Sequence, residues 1–460
     1  RQRLKDVKTA IEHTMESLLI PIFLTSITTI AAFLTMISSP LEPLIGYGIC
    51  MSVGIAWAWI LSSLTLPAVI NMVPWDSRSY SIAKPSILEN LASFFSTIVT
   101  RFPFQTFSGG VLMVFLGGIG IQNINVDVNV ANFFKPGTEI RDSMDFMDRE
   151  MSGTMDLRVR IEADVKDPRI LNGLDSLQSF VQENENISVT YSIADVVKQM
   201  HRAVMDDSLK YESIPPTREK VNNLFTMYYM SGDHDGLSSM IDPDHKTTLI
   251  TSLSSIMSTE DIFSLVGSMT TYIDKHFFST EKINITGMIV VIRDMVLMVI
   301  RSALLSISIS IILIGLITSL FFGRVIWGAL SIIPLFSAVI LNFGLMGHFD
   351  IALNHITAIL SSIIIGVGVD FAIHYISQFQ KLSKNKDGKD KTMEVVKEVG
   401  YPILLDAGSN MGFGALIFSV FLPVQCIGGL MVFAMISTSL GTLVLLASGT
   451  QILSDRFSKV

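Results

Sequence analysis

Apolar residues run in long blocks near both ends of the chain, and a polar stretch with mixed periodicity separates them. The blocks cover residues 18–37, 45–72 and 102–121, then 302–322, 325–346, 353–376, 402–422 and 425–448. Each is close to the ~20 residues that cross a ~30 Å hydrocarbon core at ~1.5 Å per residue. Eight membrane spans are therefore expected. Residues 1–17 precede them as an amphipathic helix, with Leu4, Val7, Ile11 and Met15 at helical spacing.

The central stretch reads differently. Residues 157–161 (LRVRI) alternate as a strand does, and 187–191, 247–252 and 282–286 suggest three more. Helical patterns fall at 169–182, 193–204 and 259–276, and Pro215–Pro216 open another that ends near Gly232. This β-α-β rhythm fits an α+β, ferredoxin-like arrangement. The fold class expected is a polytopic α-helical membrane protein of about eight spans with one extracytoplasmic α+β ferredoxin-like porter domain. Residues 1–73 hold the lead-in helix and the last two spans of a first repeat. A cytosolic linker follows at 74–101 and a span at 102–121. The α+β domain takes 122–288, a five-helix membrane block 289–450, and a cytosolic tail 451–460.

Composition agrees with the blocks. Of 460 residues, 49% are hydrophobic and 16% charged, with mean hydropathy +0.51, which excludes a disordered chain and points to a membrane protein. The basic start RQRLKDVK is not followed by a short apolar region with a cleavage site, so no signal peptide is read there. No Met opens the chain, and it reads as the C-terminal part of something longer. Cys50 and Cys426 sit in apolar segments and read as small core residues.

Charge sets the orientation. The stretch 122–286 holds 26 acidic and 15 basic residues, a net of −11 out of −8 for the whole chain, so the remainder is +3. Arg1, Arg3, Lys5, Lys8, Arg78, Lys84, Arg101, Arg324, Lys381–Lys397 and Arg456 all fall in one set of connections, whereas 38–43, 347–350 and 423–424 hold no Lys or Arg. The positive-inside rule then places both termini in the cytosol and the acidic domain outside, in a multi-pass cytoplasmic membrane protein.

The candidate chemistry lies in LNHITAILSSIIIGVGVDFAIHYI, residues 353–376. A carboxylate within a span costs about 2.5–3.5 kcal/mol on insertion scales, so it marks function more often than structure. Ser362, Gly366, Asp370 and His374 follow at four-residue steps on one helical face. Gly366 and Gly368 remove side chains beside the carboxylate and admit a neighbouring helix. Asp406 lies near the start of the next span, at about the same depth as Asp370, and shares a face with Ser409 and Asn410. Two carboxylates in low dielectric do not both ionise cheaply, so such a pair suits a group that takes up and releases protons. Asp370, Asp406, His374 and Asn410 are the candidate relay. His374 reads equally as an interfacial residue, Asp406 as a headgroup-facing one, and His355 as loop-facing.

An internal repeat accompanies these residues. TSITTIAAFLTMISSP and DAGSNMGFGALIFSVFLP align so that Thr29…Phe33 matches Ser409…Phe413, and each follows an amphipathic Lys/Glu helix. Repeats of this kind mark transporters built from two related halves. The first-half counterpart of residues 353–376 is then expected before Arg1.

With these residues collected, the chain resembles the resistance–nodulation–division (RND) superfamily in its MMPL-type branch. The likeness rests on ITG at Ile285–Gly287, Pro334 alone in its span, residues 353–374, and Gly412–Phe413. It implies that Asp370 serves a proton relay and that the outer domain forms a substrate porter. Phe371 stands where that family often has Tyr. The expected function is a proton-motive-force-driven exporter of hydrophobic or lipidic substrates. The rivals are a SecD/SecF-like protein-translocation motor and a Patched-like sterol-sensing protein without transport.

No Walker A sequence, metal-ligand cluster or catalytic triad is read. No cofactor is expected beyond the proton gradient, and no enzyme activity. The partners expected are a hydrophobic or lipid substrate, membrane lipids, the missing N-terminal half of the same protein, and other copies in a homo-oligomer; nucleic acid is not among them.

Overall fold

The computed structural model describes residues 7–72, 87–230, 236–277, 282–382 and 389–457. The expected ends at Gly232 and Arg1–Lys5, and the loop charges Arg78, Lys84, Lys384 and Lys386, lie outside the described residues. In chain order come helices α1 (Val7–Leu34), α2 (Glu42–Met72), α3 (Ile87–Arg101), α4 (Pro103–Gly118) and α5 (Glu139–Glu150). Then follow β1 (Met155–Glu162), α6 (Pro168–Gln182), β2 (Ile187–Ser192), α7 (Ile193–Val204), α8 (Arg218–Met230), β3 (Thr247–Ser254), α9 (Thr259–His276) and β4 (Lys282–Thr286). The last block is α10 (Met288–Phe322), α11 (Val325–His348), α12 (His355–Leu382), α13 (Lys389–Asn410), α14 (Leu422–Leu440) and α15 (Ala447–Phe457). Two compact units result: Arg1–Val126 with Met298–Val460, and Asp127–Leu297.

The first unit is helical. Among the described residues, seven helices are long and apolar enough to cross a membrane. The expected span at 402–422 differs from them. α13 ends at Asn410 and the chain continues as a 3-10 helix, Met411–Phe418, that contains Gly412 and Gly414. Asp406 and the glycines lower its hydropathy and its helix propensity together. The expected lead-in at 1–17 is not separate either: α1 runs unbroken from Val7.

α12 is the centre of this unit, packed against α1, α11, α13 and α14. Sixteen of its residues are buried, which is why its sequence is apolar nearly all round. α2 has the opposite character. Along it only Leu44, Gly48 and Ser52 are buried, while Val53, Trp57, Leu64 and Val69 are exposed. An apolar exposed helix face is what hydrocarbon solvates. Glycines set the closest approaches: a Cβ on Gly344 would strike the carbonyl of Gly117, so α4 and α11 touch backbone to backbone. At Gly441 a π-helical stretch, Gly441–Leu446, joins α14 to α15 and lies against Pro334 of α11.

The second unit holds one antiparallel sheet in the order β2-β3-β1-β4. That order, with α6 between β1 and β2 and α9 between β3 and β4, is the ferredoxin-like arrangement. Alternation builds it: Met155, Leu157, Val159 and Ile161 point inward from β1. Leu171, Leu174, Leu177 and Val181 of α6 and Ile262, Leu265, Val266 and Met269 of α9 are buried in the same unit. A capping box of Ser192 and Asp195 starts α7. Gly287 of the ITG motif has φ +103°, and a Cβ there would come 2.6 Å from the carbonyl of Asp156. Only glycine fits that corner without strain. The amphipathic helices α5 and α3, the latter within the expected linker, are additions to the elements expected from the sequence.

Candidate functional site

Asp370 stands four turns into α12, where the helix is flanked by α1 on one side and α13 on another. Its Oδ1 lies 3.4 Å from the hydroxyl of Thr29 on α1. That same hydroxyl lies 3.0 Å from the carbonyl of Gly366 and 2.8 Å from that of Thr25. A threonine has one proton to donate. When Asp370 is ionised, Thr29 donates to it. When Asp370 is protonated, its O–H donates to Thr29, whose own proton turns to a backbone carbonyl. The arrangement thus serves both protonation states without leaving a donor or acceptor stranded.

The two glycines act on different neighbours. A Cβ on Gly366 would come 3.1 Å from Thr29 Cγ2 and 3.6 Å from Phe33 Cε2, so this glycine seats α1. A Cβ on Gly368 would come 2.8 Å from Thr438 Cγ2 of α14 and 3.0 Å from Leu335 Cδ2 of α11. Gly366 and Gly368 thus admit different helices, because positions two apart face nearly opposite ways on a helix.

α13 supplies the second carboxylate. Asp406 accepts from Asn410 Nδ2 at 3.2 Å and is exposed, whereas Asp370 and His374 are partly buried. α13 packs against α12, and on the facing stretch Asp406 stands near Asp370 and His374. The structure therefore brings Asp370, His374 and Asp406 together, with Asn410 attached through Asp406. His355 starts α12 at the other end, about 22 Å away along the helix. Cys50 and Cys426 are free thiols; Cys50 is exposed on α2 and not a core residue, since α2 turns that side outward.

Thr29 is a contact of Asp370 that sequence reading missed. It entered only as a repeat position. A hydroxyl in an apolar run opposite a glycine-flanked carboxylate was the available signal.

Comparisons with known proteins bear on the fold. Residues 320–454 match the family of the sterol-sensing domain of SREBP cleavage-activation. The hedgehog release protein Disp from the water bear Hypsibius dujardini superposes with TM-score 0.69 at 13% identity, over 96% of this chain and 59% of that one. The fold is RND-like. SecDF in its super-membrane-facing form superposes with TM-score 0.53 at 10% identity, over all of this chain and 51% of its own. A membrane protein of Methanocaldococcus jannaschii, MJ1562, is 21% identical over 260 residues, 56% of this chain and 64% of that protein. The chain spans between half and two thirds of the length of each of these relatives.

Proposed function

We propose that the chain belongs to a proton-motive-force-driven exporter of hydrophobic or lipidic molecules, with the α+β domain outside as a substrate porter. Both termini are cytosolic in this reading. The observation that carries it is Asp370: a carboxylate inside a span, bonded by one movable hydroxyl and facing a second carboxylate on α13. A hydroxyl both donates and accepts, so this partner accommodates the two protonation states that a relay carboxylate passes through. The release activity in the name of the water bear protein favours movement of a cargo over sensing alone.

The test is Asp370→Asn in the full-length protein, read as substrate efflux from vesicles against an imposed pH gradient. Asn matches the shape and removes the charge, so folding and insertion survive. Efflux is expected to be lost, while Asp370→Glu keeps part of it with a shifted pH profile. Full efflux by Asp370→Asn at equal protein level overturns the relay.

A second reading, a sterol-sensing protein without transport, has the family match over 320–454 in its favour. An apolar cleft of about 400 Å³ lined by Val111, Val114, Phe115, Gly118, Ile119 and Ile340 offers room for a lipid ring system. In that reading a photoreactive sterol labels this cleft, and Asp370→Asn leaves the response intact.

A further inference from the structure

Most buried hydroxyls of the helical unit bond within their own helix, as Thr28, Ser361, Ser437 and Ser439 do. A group on α10, α12 and the 3-10 stretch Thr35–Ser38 that follows α1, with Ser39 at its end, does otherwise. Ser302 Oγ donates to Ser39 Oγ at 2.7 Å. One turn further along α10, Ser306 Oγ lies 3.2 Å from Thr35 Oγ1 and 2.9 Å from Ser362 Oγ. Another turn on, Ser310 Oγ lies 2.8 Å from Thr35 Oγ1. All six are buried, and Ser39 at 7% is the most exposed. The group runs from the Ser39 end of α1 toward the level of Asp370, because Ser362 stands two turns before Asp370 on the same helical face.

Among the described residues no hydrogen bond joins the Ser39–Ser302 pair to Ser306 or Thr35 one turn on, and the line ends one turn short of Asp370. Between Ser362 and Asp370 lies Gly366, and the space beside it is taken by the Phe33 ring, the Ala32 methyl and the Thr29 methyl. Phe33 is also held by Tyr47 and packs with Ile359 and Ile363. An apolar plug one turn thick therefore separates a polar line from a carboxylate that already has Thr29 as its partner.

We propose that Ser39, Ser302, Ser306, Thr35, Ser310 and Ser362 form the outer half of the proton route to Asp370, closed at Gly366 by the Phe33 ring. This rests on the relay reading of Asp370 and adds the direction and path of its loading. A hydroxyl both donates and accepts. A hydronium at the outer end loses its proton to the first hydroxyl and remains as water; each hydroxyl passes its own proton to the next, through one bridging water between the Ser39–Ser302 pair and the Ser306–Thr35 group. A water admitted when Phe33 swings aside hands the last proton to the Asp370 carboxylate, which becomes neutral. The titratable groups that face Asp370 are His374 on α12 and Asp406 on α13; α1 presents Thr29. The ionisable residues of α11 and α14, His348 and Cys426, sit at helix ends. Those of α10, Arg293, Asp294 and Arg301, precede Ser302. Nothing along the ladder therefore holds a fixed charge that would trap the proton.

The test uses the full-length protein in membrane vesicles of known sidedness, acidified on one face at a time. A lipid-soluble carbodiimide reacts with protonated carboxyls, and mass spectrometry reads the rate at which it modifies Asp370. Acidifying the outer face is expected to accelerate modification. Thr35→Val with Ser306→Ala is expected to cut that response by about tenfold, leaving the response to the inner face in place. Phe33→Leu is expected to raise the outer response severalfold. Thr28→Val, a buried hydroxyl outside the ladder, is the folding and packing control and should behave as the parent. An undiminished outer response in Thr35→Val/Ser306→Ala overturns the route, as does modification that follows the inner face alone. Sodium that protects Asp370 at constant pH, with the protection lost in the same variant, makes the cluster a cation site and also overturns it. If Asp370 is modified from neither face at any pH, the relay reading itself fails, which is a separate result.

Discussion

α1 and α13 carry the two stretches that align in the sequence, and the structure packs them differently. Each ends in a 3-10 stretch, Thr35–Ser38 and Met411–Phe418, before a turn leads into the next long helix. Thr29 and Phe33 of α1 match Ser409 and Phe413. On α1 these positions are buried against α12, with Phe33 2% exposed. On the α13 side Ser409 is exposed and Phe413 is 52% exposed. α13 instead packs along α3, with Ala92 close to Gly400. The same sequence pattern thus gives a closed interface where a glycine-bearing helix meets it and an open face where none does. A repeat specifies which face is sticky; the partner decides whether that face becomes core.

The largest contrast is expected at the phenylalanines. Phe33→Ala opens a cavity between α1, α2 and α12 and should destabilise the helical unit by about 3 kcal/mol. Phe413→Ala should stay within about 0.5 kcal/mol, since its ring is mostly uncovered. Unfolding of the detergent-solubilised chain measures both. Equal losses would mean that the α13 face is covered in the purified protein, and the contrast between the copies would vanish.

A smaller effect, opposite in sign between the copies, is expected at the glycines. Gly366→Ala places a methyl 3.1 Å from Thr29 Cγ2 and pushes α1 off its seat. A cost of about 1 kcal/mol follows after the gain in helix propensity. Gly408 on α13 has nothing within 4 Å of where its Cβ would be. Gly408→Ala should therefore stabilise by about 0.5–1 kcal/mol. The same unfolding series reads both signs, and a loss at Gly408 would place a hidden neighbour against α13.

These contrasts also mark what the sequence could and could not tell. Strand alternation in β1 and the heptad-like spacing of Leu171, Leu174 and Leu177 were legible because each element has one buried face and a fixed period. The spans were legible by length. The face of α12 that meets α1 was not, because Ile363, Ile364, Ile365 and Val367 surround Gly366 with apolar side chains on every side and no periodicity remains. Asp370 stood out as a lone charge, but Thr29 did not. A threonine in a span normally bonds its own helix, as Thr28 does, and sequence cannot show that a hydroxyl reaches across. The serines at 302, 306 and 310 did carry a signal, a four-residue spacing that lines one face of α10, which the span's overall hydropathy concealed.

The smallest stability effect, and the sharpest in meaning, is expected at the hydroxyls of the repeat. Thr29→Val keeps shape and volume and removes one interhelical bond. Such bonds average about 0.6 kcal/mol in a membrane, so stability should fall by that order. Ser409→Ala, on an open face, should change stability by less than about 0.5 kcal/mol. Stability alone would make the two copies look alike. Transport should not: Thr29→Val leaves Asp370 without a hydroxyl that adapts to both of its protonation states, so efflux should fall well beyond what the stability loss explains. Thr29→Ser restores the hydroxyl and should recover most of it, while Ser409→Ala should show no comparable loss. If Thr29→Val transports as the parent does, the Asp370–Thr29 contact is packing only. α1 and α13 then differ in burial and not in function.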